Sequence, residues 1–246
     1  MKRTITLMFI ALFALTSMQG NAQEKKKWLS IGSDLMSRYV WRGTCYSRSP
    51  NVQPSITFDP GIGLKAGAWG SYGIMGDYAE ADLFLSYSFK GVSLTLNDYY
   101  FPNESAPVMN YFNYKSATTG HQFEAALGYD GPEKFPIHFL AGTIVYGADK
   151  KLDKTTIDTV TMDTTMTYKS RFSTYFELGY TFGMFNVFAG FTPAAGIYGD
   201  GMGVINAGIT ARKEIKITDK FSLPAQMSVI TNPRARNIYF VFGISI

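Results

Sequence analysis

The C-terminal stretch of the chain constrains its fold most. Ile238, Phe240, Phe242, Ile244 and Ile246 fall on one side of an extended strand, and Tyr239, Val241, Gly243 and Ser245 fall on the other. The same period-two alternation recurs along the chain in segments of about ten residues, the length a tilted strand needs to cross a bilayer. After residue 22 no apolar run reaches the roughly 20 residues of a spanning helix. The longest is Ile238–Ile244. A helical membrane protein is excluded, which leaves a soluble β protein or a transmembrane β-barrel. The two differ in which face of each strand is apolar.

The first strand decides between them. Leu29, Ile31, Leu35, Tyr39 and Trp41 share a face, and Ser30, Asp34, Arg38 and Arg42 share the other, which predicts a strand over 28–43. An Arg at the bilayer midplane costs about 2–4 kcal/mol. The Leu29 face therefore looks outward, and Asp34, Arg38 and Arg42 face an enclosed, wet interior. Twelve strands are predicted in this way, near 28–43, 50–59, 62–72, 78–89, 92–101, 120–130, 135–147, 171–182, 185–193, 203–217, 221–231 and 237–246. Their connections alternate in length. Asp59-Pro60-Gly61, Lys90-Gly91 and Gly183-Met184 are short, whereas 102–119 and 148–170 are long. The pattern predicts an all-β, twelve-stranded antiparallel up-and-down transmembrane barrel with both termini periplasmic.

Composition agrees with this expectation. The chain is 15% aromatic and only 17% charged, which excludes disorder. Aromatic residues gather at the predicted strand ends. Trp28, Phe58, Tyr87, Phe89 and Tyr129 mark the short-turn side, and Tyr39, Trp41, Tyr72, Tyr99, Phe101 and Tyr146 the long-loop side. Two such belts around an aliphatic band suit the two interfaces of a membrane. Two positions resist. Asp98 follows Val92, Leu94 and Leu96 on the outward face and needs a bulge or a place above the membrane. Lys213 faces outward and needs a place near the periplasmic interface, where it can snorkel.

The first 22 residues read as a secretory signal: Lys2 and Arg3, then an apolar run from Ile5 to Leu15, then Gly20-Asn21-Ala22 for cleavage. Residues 23–246 form the barrel. The formal charge of +4, less the two charges of Lys2 and Arg3, leaves +2 on the mature chain, too weak to imply nucleic acid as a partner. The single cysteine, Cys45, cannot form an internal disulfide. The Thr-rich stretch 154–167 alternates apolar residues and reads as a hairpin above the rim, with a solvated loop as the alternative.

Ser33-Asp34-Leu35-Met36-Ser37-Arg38-Tyr39-Val40-Trp41-Arg42-Gly43, followed by Val52-Gln53-Pro54-Ser55, resembles the amino-terminal signature of the TorF-type porins. Asn232-Pro233 and Asn237 through Gly243 are similar to the end of members from Bacteroides-like bacteria. The resemblance spans the mature chain loosely and is specific at these two ends. It implies a Gram-negative outer-membrane barrel with a diffusion role, and it carries no catalytic residues.

Inward positions include Asp34, Arg38, Arg42, Gln53, Lys65, Glu80, Asp82, Asn97, Gln122, Glu124, Glu177, Asn206 and Arg212. Asp34 and Arg38 stand about 13 Å apart along a strand at roughly 3.3 Å per residue, so their partners must come from other strands. The expected pore-lining set is Asp34, Arg38, Arg42, Asp82, Glu124 and Glu177. Arg38, Asp82, Glu124 and Glu177 are expected to form an ionic constriction, the alternative being cross-links that merely fill the lumen. Twelve strands enclose a narrower space than general porins, so only small polar solutes would pass. The expected partners are outer-membrane lipid and those solutes.

An enzyme is not expected. Phe123 follows His121 at +2 and Leu140 follows His138, so neither histidine has the serine of a barrel phospholipase. His121 falls on the outward face at the rim, and His138 inward near the periplasmic end. No metal or cofactor is expected. Two histidines and one cysteine lie far apart, and Asp153, Asp158 and Asp163 lack the Gly and Glu of a calcium loop. Gly199–Gly203 precedes no helix and is not a phosphate cradle. The alternative to a channel is a non-conducting structural or surface-binding barrel that presents loops 102–119 and 148–170.

Overall fold

The computed structural model describes residues 28–102, 110–158 and 160–246. The leader reading and part of loop 102–119 lie outside the described residues. The strands are β1 (Leu29–Met36), β2 (Tyr39–Trp41), β3 (Thr44–Ser47), β4 (Asn51–Phe58), β5 (Leu64–Gly73), β6 (Ala79–Phe89), β7 (Val92–Tyr100), β8 (Gln122–Asp130), β9 (Ile137–Gly147), β10 (Lys150–Ile157), β11 (Thr164–Ser170), β12 (Thr174–Phe182), β13 (Phe185–Thr192), β14 (Gly203–Thr218), β15 (Phe221–Asn232) and β16 (Asn237–Ser245). Twelve of them form one closed antiparallel barrel in the order β1-β16-β15-β14-β13-β12-β9-β8-β7-β6-β5-β4. Closure leaves the wall without edges. It is made by β1 against β16, where Asp34 faces Ser245 and Met36 faces Gly243.

The alternation read from the sequence is the alternation of the wall. In β4, Asn51 and Gln53 are buried while Val52, Pro54, Ile56 and Phe58 are exposed. On the outward face of β6–β8, Leu85 faces Leu96, and Leu94 faces Tyr87 on one side and Leu127 on the other. Inward hydroxyls pair in the same way. Ser86 meets Thr95 at 2.8 Å, and Thr210 meets Ser228 at 2.8 Å. The Thr-rich stretch is the hairpin β10–β11, a separate two-stranded ribbon inserted between β9 and β12. At the short-turn end the β14–β15 hairpin outruns its neighbours. The Arg212 amide donates to the Met184 carbonyl, and beyond it Lys213–Thr218 pair only with β15. Lys213 thus lies beyond the end of β13, while its partner Ala225 still pairs with Ile244 of β16.

The first predicted strand is corrected. It leaves the wall after Met36, and the wall continues directly with β4, which pairs with β1 from Leu29↔Phe58 to Met36↔Asn51. Residues 37–50 between them fold inward and carry the hairpin β2–β3. Tyr39 and Trp41 therefore face the bore and not the exterior. Tyr99 and Phe101 also pack inward with this hairpin, so the aromatic belt on the long-loop side is thinner than predicted. Tyr72, Tyr146 and Phe172 remain exposed there. Among the described residues the buried apolar cluster of Tyr175, Tyr198 and Ile205, flanked by Trp41, Leu140 and Ile197, sits inside the bore.

Asp98 stands on the outward face with no bulge, opposite Leu83 and Phe123. It is tolerated there because His121 Nδ1 lies 2.7 Å from Asp98 Oδ1 and residues 110–119 fold over both. His121 Nε2 is 2.5 Å from the Tyr111 carbonyl oxygen, and Tyr114 stacks on the ring at 4.4 Å. His121 is outward, as predicted, but fully buried.

Candidate functional site

The site is built around a turn. β2 and β3 are joined by Arg42-Gly43, with φ of 48° and 77°. Two consecutive positive φ values match the tight hairpin turn in which Asn-Gly and Asp-Gly are favoured. A non-glycine residue there is strained by about 1–2 kcal/mol. Gly43 suits its place twice over, because a Cβ would also run into the Ile205 carbonyl of β14. Arg42 shares its conformation with Lys90 of the wall turn Lys90-Gly91. What sets it apart is the reach of its side chain.

The Arg42 guanidinium crosses the bore to Glu124 of β8. Nη1 lies 2.5 Å from Oε1 and Nη2 donates to Oε2 at 2.9 Å, a two-pronged fork. The side chains are 7% and 0% exposed. Two buried charges are tolerated only when further hydrogen bonds support them, and here the carboxylate of Glu124 is well supplied. Tyr99 Oη donates to Glu124 Oε2 at 2.8 Å, Tyr198 Oη to Oε1 at 3.3 Å, and Asn97 Nδ2 to Oε2 at 3.4 Å. Arg42 Nη1 also donates to Tyr198 Oη. The cation lies over the rings of Trp41 at 4.4 Å and Tyr175 at 4.5 Å. On the side of β15, Asn232 Nδ2 donates to the Gly43 carbonyl at 3.1 Å.

A second inward loop supplies Tyr198. Residues 193–202 are clipped by Arg234, which donates to Asp200 Oδ1 at 2.6 Å and to the Met202 carbonyl at 2.7 Å. That bond from Arg234 holds the Asp200 carboxyl below the usual carboxylate range. The glycine-rich run Gly199–Gly203 therefore wraps an arginine side chain. The base of the hairpin is gripped by Asp77. Its carboxylate accepts from Ser49 Oγ at 2.5 Å, Ser47 Oγ at 2.9 Å and the amides of Arg48 and Ser49 at 3.0 and 3.3 Å. The Ser49 hydroxyl foremost, against a smaller opposing effect of burial, lowers the Asp77 pKa.

The predicted pore-lining residues fall into separate groups. Arg42 and Glu124 meet. Asp82 lies inward beside Glu80 and accepts from the Tyr100 amide at 3.4 Å. Glu80 accepts from Tyr78 Oη at 2.8 Å within a cluster of rings, Tyr39 lying 5.5 Å from both Trp69 and Tyr78. Glu177 accepts from Tyr175 Oη and from Asn206 Nδ2 at 3.0 Å. Asp34 faces inward opposite Gln53. Among the described residues Arg38 forms no ion pair and its buried Nε has no hydrogen-bond partner. His138 points inward between Asp130 at 2.7 Å and Thr181 at 2.9 Å.

Trp41, Tyr99, Tyr175, Tyr198 and Asp77 were not anticipated as parts of this site. The sequence did hold a signal for the hairpin: a two-residue X-Gly turn between the alternating runs Tyr39-Val40-Trp41 and Thr44-Cys45-Tyr46. Among the described residues no group of acidic, His and Cys side chains could hold a metal ion. A groove of about 230 Å³ lies at the opposite end, between Arg212, Glu214, Pro224 and Ser245, remote from the fork. The chain matches no family model and no curated protein sequence.

Proposed function

We propose that this chain is an outer-membrane barrel of the TorF-type porin kind, exported by its leader, with both termini periplasmic. In this role it offers a narrow passive route to small polar solutes. The observation that carries this role is the division of the wall into two chemistries. The outward face exposes Leu94, Phe240 and Phe242 at 62–64% together with many like them. A water-soluble monomer rarely leaves so continuous an apolar surface bare. The inward face carries Ser30, Thr57, Ser86, Thr95, Thr210 and Ser228, hydroxyls that water can line. Hydrocarbon outside and water inside account for both faces.

The hairpin across the bore favours a second role, a non-conducting barrel that presents its loops. The ribbon β10–β11 gives that role a surface, since Leu152, Ile157, Met166 and Tyr168 are exposed on it. Liposome swelling with sugars and amino acids of graded size separates the two. Solute entry that falls steeply with size supports a channel. No entry, even after residues 38–49 are replaced by a Gly-Ser turn, supports the surface barrel.

A further inference from the structure

We propose that the β2–β3 hairpin is a latch that opens and closes the bore, with the Arg42–Glu124 fork as its catch; this rests on the transport role proposed above. Three observations lead to it. First, the wall is complete without the hairpin. β1 pairs with β4 through to Met36↔Asn51, so residues 37–50 leave and re-enter at paired neighbours. The tip, residues 38–46, can swing about a base that Asp77 and the backbone bonds of Ser37 and Pro50 hold in place, without breaking that ladder.

Second, the hairpin is held in the bore chiefly by side chains. Its main bonds to the far wall are the fork to Glu124 and the Asn232 bond to Gly43. Its rings meet those of the wall at tilted and edge contacts, Trp41 on Tyr99 at 5.4 Å and Tyr39 on Trp69 at 5.5 Å. Third, the tip of the hairpin has the same left-handed backbone as the ordinary wall turn Lys90-Gly91, yet the side chain it carries, Arg42, ends in a buried ion pair with a strand on the far wall. In the open state Arg42 and Glu124 both face water in the bore, so neither charge is left buried and alone.

The test is single-channel recording in planar bilayers, with folding of each variant checked by its heat-modifiable mobility in gels. Wild type should rest closed with brief openings. Arg42→Asn keeps a residue suited to the turn and removes the catch. It should raise open probability by roughly tenfold or more, as expected for a minor state released from a bias. Glu124→Gln should act in the same direction, and Arg42→Glu with Glu124→Arg should return towards wild type. A barrel in which a Gly-Ser turn replaces residues 38–49 should conduct steadily.

The wild-type chain provides its own control. A bulky maleimide on Cys45, the single cysteine, should hold the hairpin out of the bore and leave the channel open. A shortened barrel that conducts, while the two single variants and the Cys45 adduct open no more than wild type, overturns the latch and leaves the transport role standing. A shortened barrel that does not conduct overturns both.

Discussion

At the scale of single residues, the fork between Arg42 and Glu124 is the most consequential contact in the molecule. Removing one partner from a buried pair leaves an uncompensated charge and typically costs about 3–5 kcal/mol. Replacing both with apolar residues of similar size is often neutral. Glu124→Leu alone should therefore lower resistance to urea unfolding in detergent by that order, and Arg42→Leu combined with Glu124→Leu should recover most of it. Equal losses in the single and double variants would show that the pair is not what stabilises the hairpin. Asp77 gives a second, pH-dependent expectation. Its pKa is lowered in the folded state, so its grip on Ser47 and Ser49 is fully present above the ordinary carboxylate value and is lost as pH falls through the depressed one. The amide resonances of Arg48 and Ser49 should titrate with a midpoint below about 3.9. Asp77→Asn should abolish that titration, and a midpoint above the ordinary value would contradict the assigned contacts.

At the scale of elements, the wall and many of its inward positions were legible in the sequence, and the hairpin that fills the bore was not. Period-two alternation reports which face of a strand meets which solvent, and hydrocarbon against water is a strong contrast. Leu83, Leu94 and Phe240 could be placed from it without knowing any neighbour. The same alternation misled at residues 37–43. Tyr39 and Trp41 keep the parity of Leu35, yet they lie on an inward hairpin, because alternation is identical in a wall strand and in a strand folded inside it. The partner of Arg42 was out of reach for a related reason. Glu124 is 82 positions away, and barrel closure, not local pattern, brings it across. Asp98 was legible as a problem, and its answer lay in a loop. Tyr146 Oη donates to the Tyr114 carbonyl at 2.6 Å and Lys150 Nζ to Ser116 Oγ at 3.0 Å, which adds to the His121 contacts that seat residues 110–119 on the outer wall. His121→Ala should release that segment. Limited proteolysis should cut within 110–119 much faster while the wall strands stay protected. Unchanged cleavage would mean that the ring is not what seats it.

At the scale of the whole molecule, the barrel places its packed cluster inside the bore and its bare apolar surface outside. Tyr175, Tyr198 and Ile205 are buried among loops and hairpin, whereas the outward strand residues have no protein to cover them. The proposed outer-membrane setting would give that exterior the hydrocarbon such an apolar surface favours. Spin labels placed one at a time from Val92 to Asn97, in a Cys45→Ser background reconstituted in bilayers, test that most directly. Collision with oxygen, which dissolves in the acyl region, should be high at 92, 94 and 96 and low at 93, 95 and 97. Collision with a water-soluble nickel chelate should not be high at the outward positions. Oxygen access without this alternation, or a chain that stays dispersed in buffer without detergent, would contradict a hydrocarbon-solvated wall.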